Sequence, residues 1–308
     1  MSIMMSTLHE IALAHAKKQP GMADSITEDA PILNVVRWKP STHGLHNVAE
    51  KLTDIEGPAF VEPDAPLPYM STSSDLVHTD LHVLGGTIEV PTQRALKFGG
   101  KDKYFADRQN TLLRKSGMDT ERQLMLQNWL KAARACRNLK DAGGKGKGWF
   151  ILAVRFDELL NVGLYDPDQF QEGRLFRIDF PYGGAEHHLT SPRYKGVLGY
   201  SITYRANFGW QILDPRVTCA GIVNIDEDNR PTPAMIDDML ADVRSQPGNT
   251  YLFCSPKAKI HGINPYKTNN VELANSDTDA KTRVETWNGI SIVCSHNFNE
   301  KMDNIKIG

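Results

Sequence analysis

His78, Asp80 and His82 stand at i, i+2 and i+4 of a strand-like run, Leu76-Val77-His78-Thr79-Asp80-Leu81-His82-Val83. Alternate residues of a strand share one face, so two imidazoles and a carboxylate would project together as a set able to hold zinc. An earlier run carries His43 and His46, either of which supplies a further ligand if the two runs pair. The competing reading is a solvated or subunit-contacting face of an exposed arm, and it is preferred because this spacing alone is a weak metal signal. A metal-dependent hydrolase built on these residues would also need a carboxylate base within reach of the metal-bound water.

Other histidines give less. His187-His188 follow Gly183-Gly184-Ala185-Glu186, which reads as a surface loop. A general base there needs a Ser or Cys nucleophile beside oxyanion donors, and no such context is recognisable. His9 and His15 are six residues apart and fall on different helix faces, whereas a zinc-protease helix spaces its pair by four. The run Asp141-Ala142-Gly143-Gly144-Lys145-Gly146-Lys147-Gly148 ends in Trp149 where a phosphate loop requires Lys and Ser or Thr. It reads as a flexible joint. The expectation is a non-enzymatic chain with no cofactor and no bound metal.

The element that carries the first histidines is an arm. Residues 43–100 read as a polar hairpin: an outgoing limb from His43 to Val61, a proline-broken tip from Glu62 to Pro68, and a return from Leu76 to Val83. Limbs of roughly 18 residues would reach on the order of 60 Å. Isolated two-stranded hairpins are marginal in water, so the arm must lie on something, and a second copy of the chain is the natural support. Before it, Thr7-Leu8-His9-Glu10 is a capping box opening a short helix that Pro20-Gly21 ends, and residues 22–42 read as irregular. The first 42 residues are therefore expected to form a second arm.

Beyond Gly99-Gly100 a helical stretch runs from about Lys101 to Asn138, interrupted at Ser116-Gly117-Met118-Asp119, with Asp119 capping the second half. Met125, Trp129, Ala132 and Cys136, widened by Leu126, Leu130 and Ala133, make one apolar face. Strands are expected at Trp149–Val154, Leu175–Ile178, Val197–Tyr204, Trp210–Leu213, Val217–Ile225, Tyr251–Cys254, Val284–Trp287 and Ile290–Cys294. Helices open at Thr232-Pro233 and Ser255-Pro256, each with a hydroxyl cap and proline in the first turn.

Composition is ordinary for a globular protein, 40% hydrophobic and 23% charged. A formal net charge of -2 argues against a sequence-independent nucleic-acid binder, which needs a basic surface. Cys136, Cys219, Cys254 and Cys294 show no CxxC spacing, and three lie in apolar runs, as expected of buried free thiols in a reducing cytosol. Met1-Ser2-Ile3-Met4-Met5 lacks a basic flank, so no signal peptide is expected, and no stretch has the length of a membrane span.

The order of these elements resembles the major capsid proteins of tailed bacteriophages, whose fold is shared with encapsulin shells. Gly289-Ile290-Ser291-Ile292-Val293 is similar to a Gly-Ile-Pro-Ile strand common near the C-terminus of that family, with Ser291 in the place of proline. Trp149 to Val154, then Tyr194 to Tyr204, Trp210 and Val217 to Ile225, resembles the axial domains of podophage-like members.

The resemblance implies an α+β tailed-phage capsid fold with an N-terminal arm (1–42), an extended E-loop hairpin (43–100), a peripheral domain with a long spine helix (101–141 and 249–308) and an inserted axial domain (142–248). It further implies a major capsid protein of the virion, assembled in the host cytoplasm. Copies would join as hexamers and pentamers into an icosahedral head that encloses double-stranded DNA without specific binding. Scaffolding, portal and decoration proteins are the other partners it allows, and no membrane is involved. An encapsulin-like compartment is the alternative of the same architecture, and the hydrolase on His78, Asp80 and His82 the alternative of another class. An adhesin or tail protein would fit the strands and leave the spine helix unexplained.

At the tip, either Glu62 and Asp64 meet Lys257, Lys259 or Lys267 of a neighbouring copy, with Tyr69 in the same contact, or all five charges are independently solvated. Some members of the family cross-link an E-loop lysine to a neighbour's asparagine. Glu62 to Ser74 contains no lysine, so a non-covalent shell is expected.

Overall fold

The computed structural model describes residues 5–15, 26–63, 65–168, 176–266, 271–275 and 283–307. One long helix, a six-stranded sheet and a seven-stranded sheet share a core, and a two-stranded ribbon leaves them.

The seven-stranded sheet has the order β13-β14-β15-β12-β6-β11-β5. β6 (Trp149–Arg155) lies between β11 (Cys219–Ile225) and the central strand β12 (Thr250–Cys254), with β5 (Leu139–Asp141) at one edge. β15 (Ile290–Cys294), β14 (Arg283–Trp287) and β13 (Val271–Asn275) extend the other side. Trp149-Phe150-Ile151-Leu152-Ala153-Val154 is apolar throughout because both faces of the sheet are covered. Alternate residues go opposite ways. Phe150, Leu152 and Val154 face a core with the long helix, while Trp149, Ile151 and Ala153 face helices Pro233–Asp242 and Pro256–Gly262. The caps of these two helices form as expected: Thr232 Oγ1 accepts from Met235 N–H and Ser255 Oγ from Ala258 N–H.

The six-stranded sheet runs β1-β7-β10-β4, from β1 (Trp38–Pro40) through β7 (Asn161–Tyr165) and β10 (Leu198–Ile212) to β4 (His82–Pro91). β10 is one 15-residue strand where the sequence suggests two. Its polar middle, Arg205-Ala206-Asn207, stays paired because β4 follows one edge from Gly199 to Phe208. The other edge is taken in turn by β9 (His187–His188), β8 (Arg177–Asp179) and β7. β1, β13 and the short helix Pro31–Val35 fall where the sequence reading has no element. Strand pairing also crosses the positions near 142 and 248, since β6, β11, β12 and β15 are one sheet while β7 and β10 join the other.

The long helix runs Lys101–Gln123, continues as a π-helical stretch Leu124–Leu130 and ends as Lys131–Ala135. It does not break at Ser116-Gly117-Met118-Asp119. Gly117 is there for close approach: a Cβ would lie 2.0 Å from the Ile26 carbonyl oxygen. Asp119 caps nothing and pairs with Lys115 one turn back, at 2.6 Å. Leu113, Gly117, Glu121, Met125, Trp129 and Ala133 are all buried at four-residue intervals. At 3.6 residues per turn such a row drifts by about 40° each step. The wider π turns take up that drift, and Trp129 reaches the core, stacked on Phe253 at 5.2 Å.

The glycine-lysine run is no free joint. Gly144 N–H donates to Asn224 O, Asn304 Nδ2 donates to Gly144 O, and Gly148 exchanges backbone bonds with Met302. Asn224, in the left-handed region at φ 59°, holds Ile305 by both amide atoms. At the other end of the chain the Thr7–Glu10 capping box forms, Thr7 N–H to Glu10 Oε2 at 2.7 Å and Glu10 N–H to Thr7 Oγ1 at 3.3 Å.

Candidate assembly interface

The ribbon pairs β2 (His46–Glu56) with β3 (Ser71–Asp80), from His46 opposite Asp80 out to Glu56 opposite Ser71. It is shorter than the sequence suggests, because residues 82–91 leave it as β4 and residues 92–97 form a helix. Eleven residues of β2 span about 36 Å. Residues 57–63 and 65–70 lie in the tip beyond the paired strands.

The root is fixed by buried polar contacts. Asn47 Nδ2 donates to Gln211 Oε1 at 2.6 Å, and Asn47 Oδ1 accepts from Thr42 N–H at 3.2 Å. Gln211 also donates to Leu159 O. Ser41 N–H donates to Tyr165 O, and Leu81 N–H donates to Leu45 O at 2.8 Å. Leu81 is buried where the chain passes from β3 into β4. Further out, every described residue from Leu52 to Leu76 is exposed. A β-bulge at Thr53 shifts the register between Leu52 and Asp54.

The exposed part is apolar and acidic together. Phe60 is 109% and Tyr69 97% accessible, with Leu52, Ile55, Leu67, Met70 and Leu76 also open. Between residues 50 and 75 the sequence places Glu50, Asp54, Glu56, Glu62, Asp64 and Asp75 against Lys51 alone. Large apolar side chains held out on a ribbon with no support of its own mark a surface made for a partner.

The sequence-derived site residues fall as follows. Glu62 and Tyr69 are exposed at the tip, whereas Asp64 and Lys267 lie outside the described residues. Lys257 is exposed on helix Pro256–Gly262, its Nζ 6.0 Å from the Trp149 ring. Lys259 is half-buried and already paired with Glu285 of its own chain. His78, Asp80 and His82 do not share one strand: β3 ends at Asp80, and His82 opens β4 opposite Phe208. Instead His43 stacks on His46 at 5.0 Å, with His78 6.4 Å from His46. Among the described residues no group of three His, Cys, Asp or Glu is placed to hold a metal. His187 pairs within β9, and its Nε2 lies 2.9 Å from Ser201 Oγ, inside the sheet rather than in a loop.

A polar junction escapes a sequence reading. Glu121, fully buried on the long helix, accepts from Ile32 N–H at 3.1 Å, Asn297 Nδ2 at 3.0 Å and Ser295 Oγ. Burial raises its carboxyl to about 7 against the opposing pull of those three donors. Its signal in the sequence was its place four residues before Met125, in line with the apolar row.

No protein-family model and no curated relative matches the sequence. Solved structures do. The structure of bacteriophage Epsilon15 aligns with 88% of this chain and 87% of its own at 12% identity and a TM-score of 0.53. The bacteriophage JBD30 capsid aligns with 94% of this chain and 98% of its own, again at 12% identity and 0.53. An encapsulin of Synechococcus elongatus is more distant, with a TM-score of 0.42. The chain has the α+β capsid-subunit fold of tailed bacteriophages, as the order of elements in the sequence implied.

Proposed function

We propose that the chain is the major capsid protein of a tailed bacteriophage, joining as hexamers and pentamers into an icosahedral head around double-stranded DNA. The observation that carries this reading is the ribbon: a projection of about 36 Å whose described apolar tip residues stand exposed, on a fold that covers the JBD30 capsid subunit almost end to end. The ribbon is the E-loop (within 43–100). The described part of the segment expected as a second arm (1–42) packs on its own subunit instead, with Leu8, Ile11, Ile26, Ile32, Leu33 and Trp38 buried in the core. Because the ribbon grows out of β4, the six-stranded sheet and the spine helix form the peripheral unit. The seven-stranded sheet with its two covering helices forms the axial unit, an arrangement in which 249–294 adds to the insertion first drawn at 142–248.

The acidic tip suits a basic surface on the neighbour. Glu62 and Asp64 dock near Lys257 or Lys267, with Lys259 the weaker partner because Glu285 already engages it. Such rim pairs set register more than affinity. Near-neutral net charge fits an inner wall that contains DNA without gripping it. Scaffolding, portal and decoration proteins complete the partner set, with the virion as the final location.

Electron microscopy of the purified protein tests the reading. Closed shells or capsomer rings are expected, and DNA-filled particles from infected cells separate a phage head from a cargo compartment. A monomer at every concentration, with stoichiometric bound zinc, would overturn it in favour of an enzyme.

A further inference from the structure

Cys254 and Cys294 are in direct register on the adjacent parallel strands β12 and β15, with their sulfurs 3.5 Å apart. Neighbouring strands lie about 4.8 Å apart, inside the Cα range a disulfide spans. The two sites differ. Cys254 is wholly buried beneath helix Pro256–Gly262, whereas Cys294 is partly open. Their hydrogen bond raises the Cys254 thiol and lowers that of Cys294, and the nearby Lys259 ammonium also favours the Cys294 thiolate, against burial and the Glu285 carboxylate. Lys259 is held in place by Glu285 on β14. The other two cysteines lack this setting: Cys219 is buried and its thiol is pushed up to about 12, and Cys136 is raised by burial as well.

We propose that Cys254 and Cys294 form a redox-closed staple, open in a reducing cytosol and sealed by a small disulfide oxidant such as glutathione disulfide once the protein leaves it. Cys294 thiolate attacks one sulfur of glutathione disulfide, breaking the S–S bond and releasing one glutathione thiolate. Cys254 then gives up its proton and attacks the Cys294 sulfur, expelling the second glutathione. Two protein thiols are oxidised to one disulfide, and one glutathione disulfide is reduced to two thiols. The bond would join β12 to β15 across the intervening segment, fixing helix Pro256–Gly262 and the β14–β15 hairpin to the sheet's centre. The chemistry stands on contacts within one chain. Its timing, after release of the particle, rests on the capsid reading.

The test is thiol titration and non-reducing peptide mapping of the purified full-length chain before and after glutathione disulfide. Two of the four thiols should be lost with no glutathione retained, and the map should show Cys254 joined to Cys294. Cys294→Ser should leave Cys254 unreactive, and Cys254→Ser should stop at a glutathione adduct on Cys294. Lys259→Gln should slow closure several-fold at neutral pH and less above pH about 9, where thiol ionisation no longer needs help. A glutathione adduct persisting in the parent chain, or equal loss of all four thiols, would overturn the staple. Particle imaging of the same samples reads the capsid function separately, so a monomer that still closes the bond would sink only the timing.

Discussion

Glu121 is the residue on which three parts of the chain converge. Ile32 comes from the N-terminal segment, Ser295 and Asn297 from the C-terminal one, and the carboxylate from the spine helix. Its folded pKa of about 7 lies above the unfolded value, so the native state holds the proton more tightly. The stability this supplies is complete below about pH 4.5 and fades as pH rises through about 7, a change on the order of 3 kcal/mol. Urea midpoints of the parent chain should fall across that window once other groups are subtracted. Glu121→Gln, which cannot ionise, should remove that share of the slope, and an unchanged slope would show that Glu121 does not titrate there. A single acid inside an apolar row is hard to recognise from sequence, because isolated acids on helices usually face water. His78, Asp80 and His82 illustrate the reverse error. Their alternation is real, but the chain changes sheets at Leu81, and strand spacing carries no information about that change.

At the scale of elements, local chemistry was legible and tertiary contact was not. The helix caps at Thr7, Thr232 and Ser255 lie where the sequence puts them, since each depends on residues a few positions apart. Gly117 was misread as a break because its cause, the Ile26 carbonyl, is 91 positions earlier in the chain. Gly117→Ala should cost about 1–3 kcal/mol by forcing the helix off that carbonyl, a loss visible in a denaturant midpoint. The glycine-lysine run was misread for the same reason, its partners being Asn224, Met302 and Asn304. The ribbon was recognised from its polar, core-less pattern, while its length was overestimated because nothing local says that residues 82–91 pair with β10. Phe60 and Tyr69 are fully exposed, so Phe60→Ser with Tyr69→Ser should leave the unfolding free energy within about half a kcal/mol of the parent. The same double variant should abolish particles in electron microscopy. Normal particles would mean that the tip is not an interface.

In the proposed shell, stability and assembly fall on different surfaces of the molecule. The two hydrophobic cores hold the subunit, whereas the ribbon contributes to neither. A shell built from many modest contacts gains its strength by multiplicity rather than by any one strong bond. With no lysine from Glu62 to Ser74, boiled denaturing gels of assembled particles should show the monomer band alone, and a ladder of multiples would refute a non-covalent shell. The ribbon's root at Leu81 also makes it a lever. A hinge rotation of about 10° there would carry the end of a 36 Å arm by about 6 Å. A tilt too small to disturb either core would thus shift the tip by more than a residue's length along a neighbour. In the proposed shell, one sequence would then reach the same docking point across the sharper angle of a five-fold vertex and the flatter one of a six-fold face.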